Sequence, residues 1–359
     1  MEKTEIRKMI VSPKTSVKEA MKGISGISSR VLFVVDDSER LIGSITDGDI
    51  RRAILSNIGF ERPIEEIMFK SPRFVRNDEK DFEEKAKAYI FEAKLHAIPV
   101  LDRADRIVDI MAWYVFFEKH PRESHVFKPV TNYVVIMAGG KGERLDPFTK
   151  ILPKPLIPFG NKPLIEKIMD NFNRGGFVNF LLTLNYKKEL IKMYLRENYF
   201  PYSIEWVEEV DYLGTAGGLK LLRDKFKDTF FVCNCDIILE ADFGDILLWH
   251  KGEKAALTLI GCHKEMTIPY GTLELNNGLL KKINEKPAFD LVINTGVYVI
   301  EPKVISLIES GMKIDMNELI EKVLEKGWKV TVYPVCGGWF DIGQWKEYKE
   351  SLCLLNGEG

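Results

Sequence analysis

What the chain has little of removes several classes of function at once. No run of about 18 apolar residues occurs, so no segment reads as a membrane-spanning helix. The opening residues, MEKTEIRKMIVSPKTSVKEA, hold no apolar core of a signal peptide, and a cytoplasmic protein is the expectation. Neither sign of charge dominates: 51 Lys and Arg against 53 Asp and Glu leave a formal charge of −2. Such a balance carries no electrostatic footprint for nucleic acid, and no polybasic stretch points to a membrane surface. The five cysteines (233, 235, 262, 336 and 353) are odd in number, scattered and free of any CxxC pair, which reads as reduced thiols. Cys233 and Cys235 alternate along an apolar stretch, so a strand would carry both on one face. No Ser–His–Asp or Cys–His arrangement can be read, and His250 and His263 have no evident partners, so both read as structural.

What is present suits two globular domains: of 359 residues, 45% are hydrophobic and 29% charged. The first 120 or so contain a repeat. VLFVVDDSERLIGSITDGDIRRAIL (31–55) reads as strand, Asp-rich turn, strand and helix, and AIPVLDRADRIVDIMAWYVFF (97–117) repeats the plan. An amphipathic helical segment precedes each, from Val17 and from Asp81. The repeat resembles a tandem pair of cystathionine-β-synthase-type (CBS) modules spanning 1–120. The first copy carries the ribose-phosphate motif as Gly43-Ser44-Ile45-Thr46-Asp47-Gly48-Asp49, whereas the second has neither Thr nor Asp at the matching places. The resemblance implies one ligand site at Thr46 and Asp49, for an adenine nucleotide or a pathway product, or else a dimerisation scaffold in which Asp49 only caps a helix. Residues 121–132 read as a linker, and a catalytic domain is expected over 133–359.

YVVIMAGG, ending at Gly140, is a buried strand that runs into glycines, the way an open α/β sheet offers backbone N–H groups to phosphate. Two commoner phosphate loops are excluded. The GxGxxG fingerprint fails because Leu145 stands three places after Gly142, and GxxxxGK[ST] fails because Arg144 and Leu145 follow Gly139. Gly139, Gly140 and Gly142 permit close approach of a triphosphate, and Arg144 offers a planar fork to its oxygens. Lys154 stands between Pro153 and Pro155, which fix the backbone and hold the lysine on a stiff arm.

From Gly139 to Pro158 the chain matches the GGxGxRLxPxTxxxPKPLxP pattern of the sugar nucleotidyltransferases, and the resemblance extends over about 133–350. It implies a Rossmann-like domain with a mainly parallel doubly wound sheet, and transfer of a nucleotidyl group from an NTP to a sugar 1-phosphate. By resemblance, Ala138 and the three glycines bind nucleotide, Arg144 holds the leaving pyrophosphate, and Lys154 bridges the α-phosphate and the attacking sugar phosphate. Leu213-Gly214-Thr215 resembles the loop along the base and ribose, ahead of a helix from Leu219. Asp236, at the end of FFVCNCD, and Asp341, in GGWFDIG, resemble two Mg²⁺ ligands. Gly271, Glu285, Lys286, Asn294 and Thr295 resemble the sugar-phosphate pocket. A nucleotide-sensing pseudoenzyme would be expected to have lost Arg144, Lys154, Asp236 or Asp341, and all are present.

Base and sugar are less sharply marked. Glu208 and Glu209 suit the N1–H and N2–H₂ donors of guanine, although uridylyl members of the family also carry acids nearby. CBS modules ahead of a nucleotidyltransferase resemble the guanylyltransferases that make GDP-glucosamine for bacterial nonulosonic (legionaminic) acid synthesis. GTP with glucosamine 1-phosphate is therefore the expectation, with mannose- or heptose-1-phosphate guanylyltransferase and uridylyltransferase as alternatives. A homo-oligomer is expected as well.

Overall fold

The computed structural model describes residues 3–27, 29–93, 95–112, 129–335, 338–343, 345 and 347–349. The helix expected to close the second repeat, most of the linker at 121–132, and Cys336 and Cys353 lie outside the described residues. The chain divides into two compact units, one comprising 1–125, 263–292 and 334–337, the other 126–262, 293–333 and 338–359. The segment 263–292 clusters with the first unit, where Lys18 pairs with Glu265 and Asp290 and Phe60 packs on His263. Among the described residues no helix is long and apolar enough to cross a membrane.

In the first unit α1 (Lys3–Lys8) precedes two copies of one plan. The first copy is β1 (Ile10–Val11), α2 (Val17–Ser25), β2 (Val31–Val35), β3 (Leu41–Thr46) and α3 (Asp47–Leu55). The second is β4 (Val75–Arg76), α4 (Phe82–Ala93), β5 (Ala97–Leu101) and β6 (Ile107–Ala112). Each makes a three-stranded sheet with a parallel pair followed by an antiparallel pair. α2 starts at a Ser16–Glu19 capping box and buries Val17, Ala20, Met21 and Ile24, one helical face, against Leu32, Val34 and Ile45. The two hairpin turns match in detail. Asp36 accepts from the N–H groups of Ser38 and Arg40, both at 2.9 Å, and Asp102 from those of Ala104 and Arg106, at 2.8 and 3.0 Å. Glu39 and Asp105 take the same left-handed backbone at φ 60° and 61°. The copies also meet there, with Leu41 N–H donating to Asp105 C=O at 2.9 Å.

The rest of the chain supplies, in order, β7 (Val130–Ala138), β8 (Pro158–Phe159), β9 (Lys162–Pro163), α5 (Leu164–Arg174), β10 (Phe177–Leu184), α6 (Lys188–Glu197), β11 (Ser203–Glu208), β12 (Phe230–Asn234), β13 (Ile237–Leu239), α7 (Phe243–Glu253) and β14 (Leu257–Thr267). There follow the hairpin β15 (Thr272–Asn276) and β16 (Leu279–Asn284), which belongs to the first unit, then β17 (Ala288–Ile300), α8 (Met316–Glu325), β18 (Val330–Val335) and β19 (Trp339–Asp341). The helix expected from Leu219 forms as a 3-10 stretch, Gly217–Lys225.

The second unit centres on a seven-stranded sheet in the order β11-β10-β7-β12-β17-β14-β18. β7, β10, β11 and β12 run parallel and β17 is antiparallel to β12, so the expected mainly parallel sheet is present. The strand following β7 in this sheet, β10, lies on one side of it and β12 lies on the other, so strand order reverses between β7 and β12 and opens a crevice at their carboxyl ends. Ala138 and Asn234 end those two strands. Both faces of β7 are covered: Val134, Val135 and Ile136 are each 0% exposed, which is why it reads as an unbroken apolar run. On one face Phe172 of α5 stacks on Phe243 of α7 at 3.8 Å between centroids and meets Phe177 and Phe231 edge-on. The buried thiols of Cys233 and Cys235 follow on β12 and the turn after it, and burial pushes that of Cys235 up to about 12. His250 is buried on α7, bonded to Thr258 Oγ1 at 2.7 Å and Glu301 Oε1 at 3.2 Å.

Phe172→Ala removes the ring on which this cluster stacks and is expected to cost about 3–5 kcal/mol in urea unfolding. The bond from His250 outweighs burial and, with Thr229, holds the Glu301 carboxyl below its ordinary range. A carboxyl lowered in the folded state stabilises it above the ordinary glutamate pKa, and that contribution disappears as pH falls through the folded value. Thermal melts from neutral pH into the acid range should therefore fall less steeply for Glu301→Gln than for wild type.

Candidate active site

The glycine string and the lysine arm come together at the crevice. Past Ala138 the chain turns through Gly139 and Gly140 to Gly142, whose φ of +69° is open to glycine without strain. A Cβ at Gly142 would also lie 3.0 Å from both Lys154 Cβ and Thr149 Cγ2, so the loop closes tightly on the arm. Thr149 Oγ1 bonds Gly142 C=O at 3.1 Å and Asp146 Oδ1 at 2.7 Å. Tyr186 Oη and Lys187 Nζ donate to Thr149 C=O, each at 3.2 Å, and fix the loop from the start of α6. Lys154 begins the 3-10 turn Lys154–Leu156, is buried, and pairs with Asp236.

Asp236 occupies the turn between β12 and β13 and Asp341 ends β19; β13 and β19 pair antiparallel, with Ile237 opposite Asp341. Gly343 marks where the charged groups converge. A Cβ there would lie 2.7 Å from Asp341 Oδ1, 3.0 Å from Asp236 Oδ2 and 3.4 Å from Arg144 Nη2. Burial and the neighbouring Asp236 push the Asp341 carboxyl up, while Gly343 N–H, Lys154 and Arg144 pull against them. Two like charges in a half-buried place are the setting a cation relieves. Among the described residues no group of three or more His, Cys, Asp or Glu side chains is placed to hold a metal. A carboxylate pair beside a glycine loop suits an ion such as Mg²⁺, which keeps waters and needs few protein oxygens.

The second glycine loop is built on the start of α8. Asp315 accepts from Thr215 N–H at 2.9 Å and Thr215 Oγ1 at 3.2 Å, and Ile314 N–H donates to Leu213 C=O at 3.0 Å. Gly214 has φ +82°, and a Cβ there would sit 2.5 Å from Ile314 C=O. The two candidate base-reading acids separate. Glu208 is held by Lys188 and Lys192 at 2.7 and 2.8 Å, and they keep its carboxyl well below the usual range. Glu209 is 2% exposed and accepts from Leu213 N–H at 3.1 Å, and a Cβ at Gly139 or Gly218 would meet its carboxylate at 3.2 or 2.5 Å, which places it between the two glycine loops. Burial pushes its carboxyl up.

A mainly polar cleft of about 430 Å³ brings together Arg144, Thr215, Asp236, Asn294, Thr295 and Asp341. The Thr295 hydroxyl is engaged by Ile260 C=O at 2.8 Å and turned into the core, so its side chain does not face the cleft as expected of a sugar contact. Asn294 Nδ2 donates to Tyr298 Oη at 2.8 Å. Gly271, Glu285 and Lys286 lie in the first unit; Glu285 Oε2 approaches Gly271, and Lys286 has a left-handed φ of 44°. Thr46 and Asp49 satisfy each other in a capping box at the start of α3, with Thr46 Oγ1 donating to Asp49 at 2.6 Å and Arg52 pairing with Asp49. Tyr212, Asn234, Asp315 and Trp339 also line the cleft and were not read from the sequence. Only Asp315 had a signal there, the D-x-x-E capping box it forms with Glu318.

Fold and crevice together define an α/β protein with a glycine-lined crevice at the carboxyl edge of its parallel strands. The chain belongs to the nucleotidyl transferase family, whose model matches residues 133–356, and a CBS domain model matches 5–56. The mannose-1-phosphate guanyltransferase of Candida albicans is 33% identical over 231 residues, which cover 61% of this chain and 63% of that one. The probable mannose-1-phosphate guanylyltransferase 2 of Oryza sativa subsp. japonica is 32% identical over 230 residues, with the same coverage of 61% and 63%. The chain thus spans 63% of the length of these curated relatives. HddC from Yersinia pseudotuberculosis, also solved with GMP-PN, has a TM-score of 0.51 at 23% identity over 63% of this chain and all of its own. A putative glucose-1-phosphate thymidylyltransferase from Bacillus anthracis has a TM-score of 0.50 at 20% identity, over 62% of this chain and 95% of that one. These two likenesses show the fold.

Gly214→Ala forces a side chain into a left-handed backbone and against a carbonyl. Chemical unfolding should show a loss of at least about 1–2 kcal/mol.

Proposed function

We propose that the second unit transfers the nucleotidyl group of an NTP to a sugar 1-phosphate, with release of pyrophosphate. The observation that carries this reading is the convergence of Arg144, the Lys154–Asp236 pair and Asp341 beside a glycine loop where strand order reverses. An oxygen of the sugar phosphate attacks the α-phosphorus as the bond to the bridging β-phosphate oxygen breaks and its electrons leave with pyrophosphate. No side-chain nucleophile is needed, so catalysis consists of alignment and charge neutralisation. Alignment of two bound reactants supplies about 7–11 kcal/mol of barrier reduction. Arg144 holds the leaving pyrophosphate, and Lys154 is shared between the α-phosphate and the sugar phosphate. Asp236 and Asp341 would hold Mg²⁺, which when bound neutralises phosphate oxygens and orients the triphosphate.

GTP is the proposed donor, supported by the names of the curated relatives; of the two acids before the second glycine loop, Glu208 is occupied by lysines and Glu209 is buried on Leu213 N–H. Glucosamine 1-phosphate is the proposed acceptor, in nonulosonic acid synthesis, supported by the CBS match ahead of the catalytic unit. Mannose 1-phosphate is a second reading, favoured by the names of the curated relatives. An adenine nucleotide or pathway product would bind at Thr46 and Asp49, and the working form would be a cytoplasmic homo-oligomer.

Pyrophosphate release measured for ATP, CTP, GTP and UTP against glucosamine, mannose, glucose and heptose 1-phosphates tests the reading. Release with GTP and one of these sugars is expected; no release with any pair would overturn it. Lys154→Ala should lower turnover by about 10²–10³-fold in a protein that still folds.

A further inference from the structure

The second glycine loop and the residues that lead into α8, all within the second unit, are joined backbone to backbone. Ile314 N–H donates to Leu213 C=O at 3.0 Å, and Ile314 C=O accepts from the N–H groups of Ala216 and Gly217 at 3.1 and 3.2 Å. A Cβ at Gly217 would lie 2.6 Å from Met312 C=O, and one at Gly214 would lie 2.5 Å from Ile314 C=O, so this approach requires glycine at both places. Asp315 closes the join with a side chain. Its Oδ1 takes the N–H of Thr215 at 2.9 Å and the hydroxyl at 3.2 Å, and that hydroxyl accepts from Met316 N–H at 2.9 Å. A hydroxyl donates once and accepts besides, so Thr215 is gripped in both directions. Bonds to an ionised carboxylate are the stronger kind, and here one oxygen takes two of them.

The same bonds limit what the loop can offer a ligand. Leu213 N–H goes to Glu209, Thr215 N–H to Asp315, and those of Ala216 and Gly217 to Ile314. These N–H groups are spent within the protein, and they do not make the concavity of free donors that holds an anion. What the loop presents to a ligand is therefore chiefly its shape. Contact by shape is sensitive to placement, because a gap of about 0.5–1 Å already forfeits a quarter to a half of each dispersion contact. Thr215, Asp315 and Met316 all line the cleft that holds Arg144, Asp236 and Asp341, so a displaced loop would be felt where the charged groups converge.

We infer that Asp315 is a positioning residue for the nucleotide: by gripping Thr215 it holds Leu213-Gly214-Thr215 in place and so sets the affinity for NTP. The inference rests on the proposed transfer reaction, which makes an NTP the donor, and on the likeness of that loop to one lying along base and ribose. Glu318 serves the other side of the same junction. It accepts Asp315 N–H at 2.7 Å and completes the capping box of α8, so it reports on the helix cap and not on the grip.

The experiment compares wild-type full-length protein with Asp315→Ala, Asp315→Asn, Thr215→Val, Thr215→Ser, the double variant Asp315→Ala with Thr215→Val, and Glu318→Ala as a control. Each is checked by thermal melt. Affinity is then measured by calorimetry for ATP, CTP, GTP and UTP in turn, with MgCl₂ and no acceptor, and pyrophosphate release is assayed over the same panel of sugars. For the NTP that binds the wild type tightest, Asp315→Ala and Thr215→Val should each raise Kd and KM by about 2- to 30-fold, with kcat and the sugar 1-phosphate KM within about twofold of wild type. Thr215→Ser keeps the hydroxyl and should restore affinity, whereas Asp315→Asn keeps an acceptor without the charge and should fall between. The double variant should lose less than the two single losses combined, since either change opens the same grip. Glu318→Ala should lower the melting temperature and leave NTP affinity as it was. Unchanged NTP affinity in Asp315→Ala overturns the inference. So does a fully additive double variant, which would mean that Asp315 acts on the ligand directly, or an equal loss in Glu318→Ala, which would mean that only the helix cap matters. Weakened NTP binding in a protein that releases no pyrophosphate with any pair overturns the transfer reading and leaves the grip standing. A wild type that binds none of the four NTPs overturns both.

Discussion

An ammonium group withdrawn from water keeps its charge only with an anion beside it. Lys154 and Asp236 are 7% and 8% exposed, and their pairing explains much of the geometry around them. The prolines on either side of Lys154 leave its backbone little choice. The turn that presents Asp236 is continuous with β13, and β13 pairs with the strand ending in Asp341. A movement of the lysine therefore disturbs both carboxylates, the β12–β13 turn and Gly142, which packs directly on the lysine side chain. In the proposed reaction a phosphate competes with Asp236 for the lysine, so the resting pair and the working contact are alternatives at one position.

Glycine does two different jobs around this pair. At Gly142 and Gly214 the backbone is left-handed and close neighbours leave no space for a side chain. At Gly139 and Gly218 the conformation is ordinary, but the Glu209 carboxylate approaches both, so the missing side chains admit an acid between two loops distant in the chain. A buried acid thus lies between the two loops.

How much of this could be read in the sequence follows from range. The glycines, Arg144 and Lys154 lie within one short string, and their chemistry is local: turn, fork and stiff arm are properties of neighbouring residues. The parallel sheet was legible in unbroken apolar runs such as that of β7. Glu208 and Glu209 could not be told apart, because what separates them is α6, whose Lys188 and Lys192 reach back across β11 to one acid and not to the other. Thr295 reads as polar and available, yet its hydroxyl turns to a carbonyl 35 residues away. Thr46 and Asp49 suit ribose or a helix cap equally well, and the fold pairs them with each other. The hardest feature was the membership of 263–292, since Lys18 and Asp290 stand 272 positions apart and carry no local sign of meeting.

The interrupted course of the first unit bears on how such a protein is inherited and handled. A regulatory module joined by a linker alone can be trimmed away or exchanged for another without consulting its neighbour. Here Lys18 and Phe60 of the N-terminal module meet Asp290 and His263, which lie within the stretch that the nucleotidyl transferase model matches. Shuffling at 121–132 would leave His263 and Asp290 without Phe60 and Lys18.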